Sequence, residues 1–283
     1  MQIKNKFIKI TIVFLVILSG CTKEEVPIEI IENKIIEVNF DEVSEIYDDK
    51  EIVTNWFDEY HVIAHALGGI DNIDYTNSLE AFIYNYKEGT RLFEIDLQLS
   101  SDGEFLLVHE WDKYCNEQTN LGCTSAITEE EFKSTAIEGK YTPLTLNEML
   151  EIMTRVENFY LIIDSKTFEN EQAETFYNEF IEEVNIVDPD LINRFIPQAY
   201  NPEMYSLIKE MMPDNEIILT LYSYYVDSDG LKIYDEIKNR DIKVVVMHMN
   251  NDWATKVITD VREYAKYDLN YENLRIYIHT IND

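Results

Sequence analysis

Two acidic residues, Glu94 and Asp96, alternate with apolar residues in the segment RLFEIDLQL (91–99). Residues two apart in a β-strand point to the same side, so the two carboxylates project side by side near the carboxyl end of a predicted strand. Carboxylate oxygens are the ligands that Ca²⁺ and Mg²⁺ prefer. A strand with one side in water would alternate in the same way, and Gln98 continues the polar series. This pair alone therefore fits a metal site and an amphipathic strand equally well.

A third acid, Asp164, ends the apolar run FYLIID (159–164). An unpaired carboxylate in such a run loses its hydration without compensation, so Asp164 requires a cation as partner. Lys166, two residues later and on the same side of the strand, could be that partner in a simple ion pair. Alternatively, Asp164 joins Glu94 and Asp96 around one divalent ion, Ca²⁺ or Mg²⁺, which leaves Lys166 to hold an anionic phosphate.

Histidines lie at the ends of four predicted strands. His65 ends HVIAH, His109 ends FLLVH, and His248 and His279 occupy comparable positions. Two imidazoles near a metal can divide the acid and base roles at neutral pH, since one accepts a proton while the other donates one. Position alone leaves all four as candidates. The sequence contains no G-x-S-x-G elbow and no P-loop lysine motif, which disfavours serine-nucleophile chemistry and nucleotide binding.

The elements that must position these residues alternate along the chain after Glu51. Short runs rich in β-branched and aromatic residues predict seven strands, at 61–67, 91–99, 159–166, 194–200, 216–222, 243–249 and 275–281. Amphipathic stretches predict helices at 77–88, 145–156, 170–184, 202–212, 230–239 and 253–267. The run FLLVHE (105–110) is predicted to return as a hairpin after the turn at Asp102 and Gly103. Repeated βα units in this number predict an α/β protein with a TIM-type (β/α) barrel rather than an open sheet.

Charge and composition exclude other classes of protein. The 283 residues include 55 Asp and Glu against 23 Lys and Arg, a formal net charge of −32. Nucleic acid is therefore not an expected partner, because a phosphate backbone must be met by a surplus of basic residues. The sequence is 46% hydrophobic with only 8 Gly and 6 Pro, which argues against disordered and fibrous classes. No pattern in the sequence indicates an oligomeric state.

The first residues resemble a bacterial lipoprotein signal. Lysines precede an apolar run at 10–18 that is too short to cross a bilayer, and Leu-Ser-Gly-Cys ends at Cys21 as in a lipobox. We expect a signal peptide at 1–20 and lipidation of Cys21, which would anchor the protein to the outer face of the cell membrane. An ordinary signal peptide with a chance cysteine is the alternative. Residues 21–50 are expected to be an acidic tether, with part of it able to pack on the domain, and residues 51–283 to form the barrel domain.

Two further cysteines, Cys115 and Cys123, flank a short loop. In an oxidising compartment they could close this loop with a disulfide, and two reduced thiols are the alternative. The neighbouring sequence lacks the four-ligand spacing of a zinc site.

The stretch from His65 to Asp112 resembles the glycerophosphodiester phosphodiesterases and their phosphatidylinositol-phospholipase-C-like relatives. It has His-Ala where the family usually has His-Arg, followed by TNSLEAF and FEIDLQLSSDGEFLLVHEWD. Further matches are PLTLNEML (143–150), LIIDSK and HTIND. The block from Glu94 to His109 is the most specific, because it joins acid-x-acid, a DG turn and a histidine in one hairpin.

The resemblance implies a TIM-type barrel that cleaves phosphodiesters with a divalent metal, Ca²⁺ or Mg²⁺. Carried over position by position, it assigns an acid–base pair, His65 and His109; metal ligands, Glu94, Asp96 and Asp164; and substrate contacts, Lys166, Asn77 and Gln198. It offers no catalytic counterpart for His248 or His279. The implied substrates are small-molecule or lipid-derived phosphodiesters, such as glycerophosphodiesters, lipid headgroups or glycerol-phosphate polymers of the envelope.

The sequence departs from the family pattern at three places. Ala66 replaces the Arg that usually follows the first His, which removes a bidentate phosphate donor. Thr76 stands where a Glu is common. Relatives continue into a helix and an eighth strand, whereas this sequence ends at Asp283. We expect a truncated barrel, with closure by the N-terminal segment as the alternative.

These departures motivate a second hypothesis, a catalytically inactive barrel lipoprotein that acts as a binding protein. A glycosidase that uses Glu94 and Asp96 is disfavoured, because neighbours on one strand leave no room to flank a sugar.

Overall fold

The computed structural model describes residues 34–221, 230–248, 252–268 and 274–279. The expected signal peptide at 1–20 and Cys21 lie outside these residues. Every helix in the described ranges is too short or too polar to pass through a lipid bilayer.

One seven-stranded sheet runs through the described residues, in the order β2-β1-β3-β4-β5-β6-β7. Its strands are β1 (Leu92–Leu99), β2 (Phe105–Leu107), β3 (Tyr160–Asp164), β4 (Phe195–Ala199), β5 (Ile218–Thr220), β6 (Val244–His248) and β7 (Arg275–His279). Neighbouring strands are parallel except β1 and β2, which form the predicted antiparallel hairpin. The parallel order is the consequence of helices that connect successive strands.

The helices lie close to their predicted positions. They are α1 (Phe40–Glu45), α2 (Trp56–Glu59), α3 (Leu79–Lys87), α4 (Trp111–Lys113), α5 (Glu129–Lys133), α6 (Leu146–Arg155), α7 (Asn170–Val187), α8 (Pro202–Met211), α9 (Gly230–Asn239) and α10 (Asp252–Ala265). Side chains fix several of the starts. Thr145 and Glu148 form a reciprocal capping box at α6, and Asn201 caps α8 ahead of Pro202.

The two sides of the sheet bury different sets of side chains. Residues such as Phe93, Leu161 and Val245 face the helices and form the larger core. Alternate strand residues point the other way and form a smaller apolar cluster with Trp56 of α2. The strand members are Leu92, Tyr160, Ile162, Ile196, Ile218, Val244 and Val246. Helices outside and side chains from successive parallel strands inside make this fold a TIM-type (β/α) barrel.

The predicted first strand at 61–67 is wrong in extent. All of these residues are described, and the only one that pairs with the sheet is Ala64, in a single parallel bridge to Phe93. The chain then turns through a short 3₁₀ helix, His65–Leu67, in which Ala66 and Leu67 have φ of 50° and 64°. Because this left-handed backbone cannot continue a strand, the segment leaves the sheet at the point where His65 begins. The seven observed strands therefore include hairpin strand β2 in place of the first predicted one.

Residues in and just after α2 contact the last described strand, β7. The carbonyl of Phe57 accepts a hydrogen bond from Arg275 Nε (3.2 Å), and Asp58 Oδ1 lies 2.5 Å from Arg275 Nη2. The Tyr277 hydroxyl donates to the carbonyl of Tyr60. In the described residues this side of the barrel is held by these contacts rather than by a strand ladder between β7 and residues 61–64.

The described part of the expected tether packs on the domain. Val38, Val43 and Ile46 are buried in the larger core. Asp48 Oδ2 lies 2.5 Å from Nη2 of Arg91, which is 8% exposed. Residues 38–48 are therefore part of the folded domain, because their apolar side chains pack in its core.

A disulfide between Cys115 and Cys123 closes the loop after the hairpin, as the oxidised alternative predicted. A separate apolar cluster of Leu106, Val108, Tyr114, Phe132, Ile137 and Tyr141 lies beneath this loop.

Candidate active site

Acidic side chains follow the apolar cluster along the inner side of the barrel. On β1, Leu92 belongs to the cluster, and Glu94 and Asp96 continue on the same side toward the carboxyl end. On β3, Asp164 pairs in register with Asp96. One carboxylate oxygen of each acid lies within 4.8 Å of the others. The structure thus brings together Glu94, Asp96 and Asp164 at the end of the barrel where active sites form.

Lys166 reaches into this acidic cluster. Its Nζ lies 2.6 Å from Asp96 Oδ1 and 2.7 Å from Asp164 Oδ2. Burial lowers the pKa of Lys166, but the carboxylates of Asp96, Asp164 and Glu94 outweigh burial and hold its pKa above the ordinary value. The ion pair offered as an alternative explanation of Asp164 is therefore formed, and it includes Asp96 as well. One ammonium group against three carboxylates still leaves the cluster short of positive charge.

Glu94 is 3% exposed, and hydrogen bonds compensate only one of its two buried oxygens. Its Oε2 accepts a hydrogen bond from the backbone N–H of Ala66 (2.7 Å), whereas its buried Oε1 has no hydrogen-bond partner among the described residues. Burial raises the pKa of Glu94 well above its ordinary value, and the Asp96 and Asp164 carboxylates raise it further. A buried carboxylate beside two more acids suits a hard divalent cation. The residues present therefore fit a metal held by Glu94, Asp96 and Asp164.

The imidazoles of His65 and His109 face each other beside the acids, with ring centroids 5.9 Å apart. Nitrogens of both rings and an oxygen of Asp96 lie within 4.8 Å of one another. Burial lowers the pKa of each imidazole, while the Asp96 carboxylate opposes this change. Of the four histidine candidates, His65 and His109 are thus placed at the acidic cluster. The backbones of His248 and His279 end β6 and β7, but their side chains lie outside the described part of the chain.

The two remaining predicted contacts occupy different positions in the site. Asn77 is 1% exposed, and its side-chain amide donates a hydrogen bond to Asp96 Oδ2 (2.8 Å). This placement suits a residue that orients Asp96 more than one that touches the substrate directly. Gln198, on β4, lines the cavity of about 750 Å³ that also contains His65, Glu94 and Asp164.

Two of the three departures from the family pattern are buried residues. Ala66 is 0% exposed, and it contributes its backbone N–H to Glu94 rather than a side-chain donor. Thr76 is 1% exposed, and its hydroxyl lies 2.9 Å from that of Ser78. Neither residue lines the cavity.

Sequence reasoning missed three residues of the site. The Tyr200 hydroxyl donates to Asp164 Oδ1, and the alternation that continues from Gln198 could have indicated it. Gln98 donates its amide to the carbonyls of Val108 (3.1 Å) and His109 (2.9 Å), although it was assigned only to a polar strand side. Tyr75 packs against both imidazoles, and no sequence signal marks it.

Comparisons with known proteins agree with this fold. A glycerophosphodiester phosphodiesterase of Bacillus altitudinis is 28% identical over 156 residues, which cover 51% of this chain and 61% of that relative. A candidate glycerophosphodiester phosphodiesterase of Galdieria sulphuraria has a similar structure, with a TM-score of 0.60 and 17% identity over 81% of this chain and 85% of that one. A glycerophosphodiester phosphodiesterase of Parabacteroides distasonis gives 0.56 and 18% over 79% and 84%.

The sequence model of the glycerophosphoryl diester phosphodiesterase family matches residues 69–280, which is well over half of the chain and includes most of the site. This chain belongs to the glycerophosphoryl diester phosphodiesterase family.

Proposed function

We propose that this protein hydrolyses the phosphodiester bond of glycerophosphodiesters or related lipid headgroups and envelope polymers. The reaction depends on a divalent cation, Ca²⁺ or Mg²⁺, and on acid–base catalysis by His65 and His109. The single observation that carries the proposal is the convergence of three acids and two imidazoles at one end of the barrel. Family membership supports the same class of reaction.

The chain's own residues would divide the work as follows. Glu94, Asp96 and Asp164 would hold the cation, which when bound supplies positive charge to a phosphoryl oxygen. One imidazole accepts the proton of the attacking hydroxyl, from an adjacent group of the substrate or from water, as the new bond to phosphorus forms. The other imidazole donates a proton to the leaving oxygen as its bond to phosphorus breaks.

The test is hydrolysis of glycerophosphocholine by the purified protein, followed by release of glycerol phosphate. We expect turnover that EDTA abolishes and that Ca²⁺ or Mg²⁺ restores, and separate additions of the two ions identify the preferred one. Replacing either imidazole should lower kcat by about 100-fold or more, in line with the usual contribution of general acid–base catalysis. Tyr84→Ala is the control, because Tyr84 is 51% exposed on α3 and does not line the cavity.

One observation favours a second candidate, a binding protein without turnover. The position that usually carries an Arg is occupied by Ala66, and Lys166 is engaged by two acids, so neither position offers a free positive charge to a phosphate. Calorimetric binding of glycerophosphocholine with no product after prolonged incubation would support this candidate. Turnover that survives both His65→Ala and His109→Ala would overturn the acid–base roles.

We also propose that Cys21 is lipidated and anchors the mature protein to the outer face of the cell membrane. The support is the sequence pattern at 10–21, which lies outside the described residues. In cells grown with labelled palmitate, the protein should carry the label and partition into detergent. Cys21→Ser should lose both properties, and a labelled Cys21→Ser protein would contradict the proposal.

A further inference from the structure

The ring of Tyr75 packs against both imidazoles of the site. Its ring centroid is 4.7 Å from that of His65, in an edge-on contact, and 4.8 Å from that of His109. The two imidazole centroids are 5.9 Å apart, so the three rings form a compact triangle. Tyr75 also lines the cavity that contains Glu94 and Asp164.

The backbone around Tyr75 is held in an unusual conformation. Tyr75 has a φ of 61° and Asn77 a φ of 48°, both in the left-handed region. Asn adopts this region readily, whereas a bulky residue such as Tyr does so only when neighbouring contacts hold it there. Asn77 is held by its hydrogen bond to Asp96. One short segment therefore contacts both imidazoles and one of the acids.

The disulfide-closed loop contributes a second attachment. Gln118 Nε2 donates a hydrogen bond to the carbonyl of Tyr75 (3.0 Å). Gln118 lies three residues after Cys115, and its own carbonyl accepts from the backbone N–H of Glu138 (2.7 Å). The loop after the hairpin thus fixes the segment that presents the Tyr75 ring.

We infer that Tyr75 is a positioning residue that holds the His65 and His109 imidazoles at their mutual spacing. Edge-on and tilted contacts between aromatic rings are directional, so they favour one orientation of each imidazole beyond the effect of burial. His109 has a particular need for such a contact, because its Nδ1 is 3.6 Å from Glu110 Oε1, longer than a normal hydrogen bond. The inference rests on the proposed function, since it concerns the two residues assigned to proton transfer.

The test compares four variants of the full chain on glycerophosphocholine: Tyr75→Phe, Tyr75→Leu, Tyr75→Ala and the control Tyr84→Ala. Tyr84 is 51% exposed on α3 and lies outside the site. Because the contacts use the ring, Tyr75→Phe should keep kcat within about twofold. Tyr75→Leu and Tyr75→Ala should lower kcat by about tenfold to 100-fold with KM nearly unchanged, since small misplacements of catalytic groups act mainly on the chemical step. Tyr84→Ala should match the wild type.

Three results would overturn the inference: an unchanged kcat in Tyr75→Ala, a rise in KM alone, or a Tyr75→Phe variant as slow as Tyr75→Ala. A rise in KM alone would make the ring a substrate contact instead. If Tyr75→Leu and Tyr75→Ala fail to fold, as judged by near-UV circular dichroism, Gln118→Leu decides the question. This change removes the donor to Tyr75 without altering its ring, and it should lower kcat, so an unchanged kcat would contradict the inference. A wild-type protein without turnover would instead refute the proposed function itself. The two failures are distinguishable, because the inference on Tyr75 is tested by comparing the variants with an active wild type.

Discussion

Asn77 and Asp96 exchange two hydrogen bonds: the Asn77 amide donates to Asp96 Oδ2 (2.8 Å), and the Asp96 backbone N–H donates to Asn77 Oδ1 (3.3 Å). Both residues are buried. The pair fixes the orientation of one carboxylate in a cluster whose members repel each other. Removing a hydrogen bond that orients a metal ligand commonly lowers metal affinity or activity by about 10- to 100-fold.

Replacing Asn77 with Ala should therefore weaken the site by about 10- to 100-fold. We expect the activating metal concentration to rise because Asp96 loses its fixed orientation. Titration of activity with Ca²⁺ or Mg²⁺ in metal-stripped protein measures this change. Asn193→Ala is the control, since Asn193 is exposed in the short helix before β4. An unaltered metal dependence in Asn77→Ala would show that Asp96 needs no such support.

Replacing Glu94 with Gln should lower activity while it stabilises the metal-free protein. Burial and two neighbouring acids raise the pKa of Glu94, so its ionised form is unfavourable in the folded state. A raised carboxyl pKa means that the folded state retains a proton that the unfolded state has lost. Its contribution to stability therefore falls as pH rises from the unfolded pKa toward the folded one.

Thermal unfolding of Glu94→Gln in EDTA should accordingly show a higher Tm than the wild type at pH 8, with a smaller difference at pH 5. Glu80→Gln, whose side chain binds the Thr142 backbone and hydroxyl, is a control without this gain. A lower Tm for Glu94→Gln at pH 8 would argue that the buried charge is already compensated.

Replacing Asp48 with Asn should destabilise the fold by about 1–3 kcal/mol at pH 7, because Arg91 loses a charged hydrogen-bond partner. Burial raises the pKa of Asp48, but hydrogen bonds from Lys50 and Asn158 and the charge of Arg91 outweigh it, so its pKa lies below the ordinary value. A lowered pKa stabilises the folded state above the unfolded pKa and loses this contribution as pH falls.

Urea denaturation should therefore show the Asp48→Asn deficit at pH 7 and a shrinking deficit below about pH 4, near the pKa of a free Asp. Asp49→Asn serves as the neighbouring control, since Asp49 is exposed. A loss of unfolding free energy in Asp48→Asn that is as large below about pH 4 as at pH 7 would contradict an electrostatic origin.

Removing the Cys115–Cys123 bond should cost about 2–3 kcal/mol of unfolding free energy, as the entropy of a short closed loop suggests. The double variant Cys115→Ser, Cys123→Ser measures this cost in urea. Reduction of the wild type should reproduce the loss, whereas the double variant should not respond to reductant. Alkylation of native wild-type protein before reduction should leave both cysteines unmodified.

Much of this architecture follows from local pattern. The spacing of apolar residues located α6, α7 and α8 within a few residues, and the alternation in 91–99 placed Glu94 and Asp96 on one side. Period-two geometry is a property of any extended chain, so it can be derived from sequence alone. Asp164 could be related to Asp96 because parallel strands end at the same edge of a sheet.

Other features depend on long-range contacts that no local pattern encodes. The strand at 61–67 was overestimated, because its apolar residues resemble a strand while Ala66 and Leu67 adopt left-handed backbone angles. Tyr75 meets the imidazoles through a loop conformation that Gln118 supports from 43 residues away. The packing of Val38, Val43 and Ile46 likewise depends on a core built by later residues.

The contacts between residues 57–60 and β7 also affect the order in which parts of the chain can fold. Asp58 and Arg275 are 217 positions apart, so residues 57–60 gain these partners only once β7 joins the sheet. Trp56, which is 3% exposed in the finished fold and stacks on Tyr277, gains that contact only when β7 has been added to the sheet. Closing this side of the barrel should therefore be a slow step of folding, because it joins segments that are far apart in the sequence.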